Sequence, residues 1–282
     1  MSFIAKALLL LCLLCQAVVA KKISPEGFLH LGDEALSQNS HEKAIGFYQQ
    51  GIDKLDEDES LIIELSLHTN MGSALSAMGK NEEAAEAYQR ALVAYKLGIE
   101  DIVEKSFKKD ATDIAAAASF YLGMVYQDLD TFLDAIDAYT YTEQLDPYHW
   151  GAPANLAAIL HDRLSKPKEA LMEYNKAFEI LTQTEVQPTD APAEPRYILS
   201  QLKYRMGLCI SHDMDAKCAM EGAPDKEIPC KELATQAFAQ ALEYDPDNEP
   251  ARHMLATITA DATMSRASNT YVKSLFDDYA KK

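Results

Sequence analysis

The sequence predicts an all-α protein, a right-handed α-solenoid of about five to six helical hairpins closed by a C-terminal capping helix. The first observation is a spacing: a small residue is followed 12 residues later by Ala, 16 later by Tyr and 19 later by another small residue, four times along the chain. The second is a unit of about 34 residues, typical of stacked hairpins. The third is a hydrophobic content of 48%, enough for a continuous core.

Each copy predicts the same packing of two helices. The second helix carries Ala, an aromatic residue and a small residue on one face, and the small residue of the first helix marks the facing contact. Small residues allow close backbone approach, and the aromatic ring fills the space beyond them, so we interpret these rings as core. The copies are Gly32/Ala44/Tyr48/Gly51, Gly72/Ala84/Tyr88/Ala91, Gly123/Ala135/Tyr139/Thr142, Ala158/Ala170/Tyr174/Ala177 and, with an insertion, Gly207/Ala234/Phe238/Ala241.

Stretches such as "HTNMGSALSAMGKNEEAAEAYQRAL" and "FYLGMVYQDLDTFLDAIDAYTYTEQLDP" resemble the tetratricopeptide repeat (TPR) over roughly residues 25–260. The resemblance implies a hairpin solenoid that binds a protein or peptide ligand. Chaperone-binding members carry a Lys/Asn/Arg clamp for a C-terminal carboxylate. Here Asn70 is the lone matching amide, so we do not expect capture of a chaperone tail; the other clamp positions hold Leu29, Asp33, Thr69, Ala117 and Tyr121.

Three insertions interrupt the repeat domain, near residues 97–113, 182–196 and 211–230. The first adds about one extra helix's worth of residues between the second and third repeats. The second is an acidic loop stiffened by Pro188, Pro192 and Pro195. Loops of this kind leave a solenoid on one face, where they form contact sites or inert linkers.

Residues 1–20 have the features of a secretory signal peptide. A short segment with one positive charge precedes an apolar run from Ala7 to Cys15, and small residues at 18–20 suit cleavage. The apolar run is shorter than the roughly 20 residues of a membrane span, although an uncleaved anchor stays open as the alternative. We therefore expect a mature protein without a membrane span, in the secretory lumen or outside the cell.

Residues 261–282 are predicted to form the capping helix, with Tyr271, Leu275 and Tyr279 on one face. The stretch "ASNTYVKSLFDDYAK" also resembles the junction at which TPR domains lead into class I S-adenosylmethionine-dependent methyltransferases. The strand and glycine-rich loop that would hold that cofactor do not follow before Lys282. The alternative function is therefore the recognition arm of such an enzyme without its catalytic domain.

Three cysteines lie outside the signal: Cys209, Cys218 and Cys230. Cys218 and Cys230 flank the third insertion, which has no core of its own, so an oxidising compartment makes a bridge between them the favoured interpretation. Zinc bound by cysteines and His212 is the weaker alternative, because the spacing lacks a paired C-x₂-C arrangement. We interpret Cys209 as a buried free thiol.

The concave groove of the solenoid is the predicted binding site. Its small, amide and aromatic side chains suit an extended or helical peptide. First-helix residues expected to face it are Leu29, Asp33, Thr69, Asn70, Ser73, Phe120, Met124, Asn155, Ile159, Tyr204 and Leu208.

Composition and motifs exclude several other functions. A formal charge of −18 disfavours nucleic acid as a partner. The glycines form no phosphate-binding loop, and no H-E-x-x-H or G-x-S-x-G motif occurs. The sequence therefore predicts a non-catalytic TPR scaffold of the secretory pathway that uses no cofactor or metal.

Overall fold

The computed structural model describes residues 23–56, 60–183, 193–220 and 223–259. Within these ranges, eleven α-helices form five successive hairpins followed by one further helix. This confirms the predicted all-α fold of stacked hairpins. The helices are α1 (Pro25–Ser37), α2 (His41–Ile52), α3 (Leu61–Ala77), α4 (Asn81–Gly98), α5 (Lys105–Asp128), α6 (Phe132–Leu145), α7 (Gly151–Asp162), α8 (Pro167–Gln183), α9 (Ala193–Ser211), α10 (Cys230–Tyr244) and α11 (Glu249–Thr259).

The chain divides into two compact units after Pro147. The first unit contains α1–α6, and the second contains α7–α11. Each of the first four hairpins turns through a short loop with one residue of positive φ, which ends the first helix and reverses the chain. These residues are Asn39, Gly79, Asp130 and Ser165.

Glycines of the first helices pack directly on the aromatic rings of the second helices. A Cβ built on Gly72 or Gly123 would lie 2.8 Å from Tyr88 or 2.6 Å from Tyr139, and one on Gly32 would collide with Tyr48. In the second unit, a Cβ on Gly207 would lie 2.6 Å from Phe238. The spacing therefore predicted these contacts for a steric reason: the ring occupies the volume of the missing methyl group.

The third insertion contains a β-hairpin that the sequence did not predict. Strand β1 (Lys217–Met220) pairs antiparallel with β2 (Ala223–Pro229), and Cys230 opens α10 directly afterwards. Lys217 lies opposite Pro229, so the strands return the chain to its starting point. The strands join α9 to α10 without interrupting the contact between those two helices.

The other two insertions are described in part, because most of residues 182–196 lies outside the described residues. Residues 97–113 form no separate helix; they complete α4, add a 3₁₀ turn at Ile99–Asp101 and lengthen α5 to 24 residues. Pro195 lies in the first turn of α9 and not in a loop, a position where the missing N–H of proline costs no helical hydrogen bond.

The predicted signal peptide (1–20) and capping helix (261–282) lie outside the described residues. In the part of the chain that the structure does describe, no helix is both long and apolar enough to cross a membrane.

Candidate protein-binding surface

A hydrogen-bonded carboxylate joins the first two hairpins. Asp33 on α1 is exposed, and its Oδ1 accepts hydrogen bonds from the Tyr48 hydroxyl and the Asn70 amide of α3, both at 2.8 Å. Burial, followed by the bond to Asp33, raises the pKa of Tyr48 far above its usual range, so this phenol remains a donor. The carboxylate is thus fixed in orientation while its anionic group faces solvent.

An aromatic pair continues this surface to the third hairpin. The Tyr88 hydroxyl lies 3.0 Å from the Ser73 hydroxyl. The Tyr88 ring stacks on Tyr121 of α5, with centroids 6.1 Å apart and planes inclined by 26°. Tyr121 is also in edge contact with Phe120. Burial raises the pKa of Tyr88 to about 12, so its hydroxyl stays neutral.

Tyr121 of this pair and Met124, one turn further along α5, remain open to solvent. Tyr121 is 42% exposed and Met124 is 43% exposed. Tyrosine and methionine are common contact residues because they offer large, adaptable apolar area. We call the set Asp33, Asn70, Ser73, Tyr121 and Met124 the first-helix surface. It combines one anionic acceptor, polar groups and apolar contact area.

The predicted groove residues of the first unit divide into two groups. Asp33, Asn70, Ser73 and Met124 reach solvent and contribute to the first-helix surface. Leu29 and Phe120 are half-buried against the core, and Phe120 lies 5.8 Å from the Tyr139 ring. Thr69 is 6% exposed, so it supports the surface from beneath and does not contact a ligand there.

In the second unit the predicted residues are mostly engaged in packing. Ile159 is 1% exposed and cannot contact a ligand from the surface. Tyr204 packs against Phe238, with ring centroids 5.9 Å apart, and Leu208 packs on the same core. Asn155 on α7 is half-buried.

An ion pair that sequence reasoning missed connects α7 to α9. Arg205 Nη1 donates to Asp162 Oδ2 at 2.8 Å, and His161 Nδ1 lies 2.8 Å from Asp162 Oδ1. Burial would raise the pKa of Asp162, but His161 and Arg205 together outweigh it and lower that pKa. The carboxylate therefore stays ionised.

One position in the repeat would have revealed the missed residues. Tyr121 and Arg205 each stand two residues before the reference glycine of their helix, as Asn70 does. Helical geometry places this position beside the positions three residues before and one residue after the glycine, which supply every predicted groove residue except Asn70. This position, taken in every first helix, predicts both Tyr121 and Arg205.

The three cysteines of the second unit form one disulfide and one buried free thiol. Cys218 and Cys230 are joined by a disulfide with Cα atoms 4.9 Å apart, so neither sulfur is available as a metal ligand. Cys209 is free and buried, and burial raises the pKa of its thiol to about 12. Such a thiol is protonated and unreactive at neutral pH. No cluster of metal-ligating side chains occurs among the described residues.

Comparison with known proteins agrees with the hairpin architecture. Residues 65–92, which span most of α3 and the first part of α4, match the tetratricopeptide repeat model. The chain has the tetratricopeptide-repeat fold. No curated protein sequence matches the chain significantly.

Several solved structures align with most of the chain at low identity. YrrB, described as a TPR protein with an unusual peptide-binding site, has a TM-score of 0.55 at 16% identity, covering 85% of this chain and 96% of its own. PilF of Pseudomonas aeruginosa has a TM-score of 0.56 at 14% identity, covering 92% of this chain and 93% of its own. MamA has a TM-score of 0.53 at 18% identity, covering 79% of this chain and 92% of its own. These likenesses establish the fold alone.

Proposed function

We propose that this chain is a non-catalytic TPR scaffold of the secretory pathway that binds a protein partner through the first-helix surface. The observation that carries the proposal is the stacked and exposed Tyr121 beside Met124, on the same first-helix surface as a carboxylate held by Tyr48 and Asn70. An exposed apolar area with oriented polar groups suits a peptide segment better than a small polar substrate. YrrB, of the same fold, is described as having a peptide-binding site.

Charge favours a neutral or basic segment on this surface. In the described part of the chain, no cation pairs with Asp33, and its oxygens can accept hydrogen bonds from a backbone N–H or a basic side chain. A C-terminal carboxylate would be repelled at this position. The net charge of −18 adds a long-range attraction for basic partners that weakens with salt.

The test is capture of partners from secretory-pathway extracts with the mature chain, followed by cross-linking and peptide mapping. Tyr121→Ala/Met124→Ala removes the exposed apolar area, and we expect about tenfold or greater loss of partner binding. Leu97→Ala/Leu133→Ala is the matched control, because both leucines are exposed, at 77% and 71%, on second helices. Equal loss in both double variants would contradict the assignment of this surface.

The secretory location and the alternative function rest on residues 1–20 and 261–282. Processing after Ala20 is checked by N-terminal sequencing of protein recovered from culture medium, and an intact Met1 would contradict the signal peptide. The methyltransferase alternative predicts an in-frame cofactor-binding motif in the gene after Lys282. Calorimetry of the chain against S-adenosylmethionine tests it independently, and we expect no saturable binding.

A further inference from the structure

The second unit contains a cavity that none of its predicted groove residues lines. Its volume is 610 Å³, and it lies between α8, α9, α10 and strand β1. Neither Tyr204 nor Leu208 lines it, because the lining residues of α9, such as Met206 and Ile210, belong to another face of the helix.

The β-hairpin supplies one wall of the cavity. Lys217, Cys218 and Ala219 of β1 line it directly. The Cys218–Cys230 disulfide fastens this strand to the start of α10, and the Cys230 N–H donates to the Ala216 carbonyl at 2.9 Å. The insertion thus adds a fixed wall to a surface that the helices alone would leave open.

The lining is basic, in contrast to the acidic chain as a whole. Three lysines line the cavity, whereas no acidic side chain of the described residues does so. Lys203 is 3% exposed, and its ammonium lies 4.0 Å from the centre of the Phe178 ring, which fixes its position. Lys168 and Lys217 are exposed at the rim, and neither has an ion-pair partner among the described residues.

Apolar and amide groups complete the lining. Leu171, Met206 and Ile210 provide an apolar floor, and Asn175, Gln236 and Gln240 provide three carboxamides. Each carboxamide both donates and accepts hydrogen bonds, which matches the alternating N–H and C=O groups of a peptide backbone. A fatty acid would use the floor and one lysine but leave these amides without partners.

We propose that this cavity binds an acidic peptide segment of a partner protein, with apolar side chains on the floor and carboxylates beside Lys168 and Lys217. The charge preference is opposite to that of the first-helix surface. A single chain can then hold two different segments, or two partners, at once.

Fluorescence anisotropy with a labelled, end-capped peptide of alternating Glu and Leu tests the proposal, using the same peptide with every Glu replaced by Gln as the reference. We expect saturable binding of the acidic peptide that weakens with salt and is at least tenfold tighter than binding of the reference. Lys168→Gln/Lys217→Gln should weaken it about five- to tenfold. Lys43→Gln/Lys105→Gln, which changes the net charge equally at exposed sites of the first unit, where no residue lines the cavity, should leave it unchanged.

Two further variants separate this site from the rest of the protein. Tyr121→Ala/Met124→Ala should retain acidic-peptide binding, so that failure of one proposal does not imply failure of the other. Cys218→Ala/Cys230→Ala should weaken it while the helical circular dichroism persists. Equal affinity for the two peptides, an equal effect of the two lysine pairs, or displacement of the peptide by submicromolar oleate would overturn the proposal.

Discussion

The two units of the chain bury their hydrophobic residues in different ways. In the first unit one cluster extends from Ala35 on α1 to Ala138 on α6. The second unit has two smaller clusters, one around Tyr174 on α8 and the other around Phe238 on α10. The hairpins of the first unit share one continuous core, whereas in the second unit the core of α8 and that of α10 form separate clusters on either side of α9.

Their surfaces differ correspondingly. The first unit presents a carboxylate and exposed aromatic side chains on its first helices, while the equivalent helices of the second unit are occupied by the Asp162–Arg205 ion pair. The second unit instead carries a basic cavity where its insertion folds back. Regular repeats therefore build the core, and departures from regularity create the additional surface.

Removing an aromatic core ring should have the largest effect and should distinguish the two kinds of core. Tyr88→Ala and Phe238→Ala each empty a site at most 1% exposed, so we expect losses of about 3–5 kcal/mol in unfolding free energy. Hydrogen exchange should show Tyr88→Ala exposing amides throughout α1–α6. Phe238→Ala should expose α10 and α11 much more than α7. Uniform exposure of the second unit by Phe238→Ala would contradict its division into two clusters.

The hairpins could be predicted from sequence because their determinants are local. A glycine and the ring that covers it are 16 residues apart in the first three hairpins, within one supersecondary unit. The structure of residues 97–113 could not be predicted in this way. Extra helical residues can form a new helix or lengthen existing ones, and only packing against neighbouring hairpins decides between these outcomes.

Other features depend on residues that are distant in sequence. The β-hairpin places Lys217 against Pro229, and strands with proline and little alternation give no local signal. Arg205 and Asp162 are 43 residues apart. The predicted groove included buried Thr69 and Ile159 because a helical face read from sequence does not show how far the next hairpin covers it.

The Cys218–Cys230 disulfide should provide the next largest effect. By the chain-entropy model, closing a loop of this size stabilises the folded state by about 3 kcal/mol. Cys218→Ala/Cys230→Ala should therefore lower the melting temperature and expose α10 amides, while α1–α6 retain their protection. Mass spectrometry of a non-reduced digest should find the two peptides linked. Full alkylation of both cysteines without reductant would show that the bridge does not form.

Glycine substitutions test how strictly each unit requires close helix contact. Gly123→Ala forces a methyl group against Tyr139, and we expect it to cost about 1–3 kcal/mol. Gly46→Ala is the matched control, because open space surrounds that position and the substitution should stabilise α2 by about 0.5–1 kcal/mol. The second unit already has Ala158 at the equivalent position, so Ala158→Gly should destabilise modestly. Denaturant titration measures all three, and a stabilising Gly123→Ala would contradict the steric requirement.

Protonation of His68 should change the unfolding free energy least, and only in the first unit. The side chain is 6% exposed, and burial, with the nearby Arg90 charge, lowers its pKa to about 4. An unfolded histidine has a pKa near 6.5, so the unfolded state binds the extra proton first as the pH falls. The stabilisation that the neutral His68 side chain contributes to the unfolding free energy is therefore complete above about pH 6.5. It is lost as the pH falls toward 4, with about 1–2 kcal/mol lost by pH 5. His68→Gln should flatten the dependence of unfolding free energy on pH over this interval. An unchanged slope in His68→Gln would mean that other groups carry the acid sensitivity of this unit.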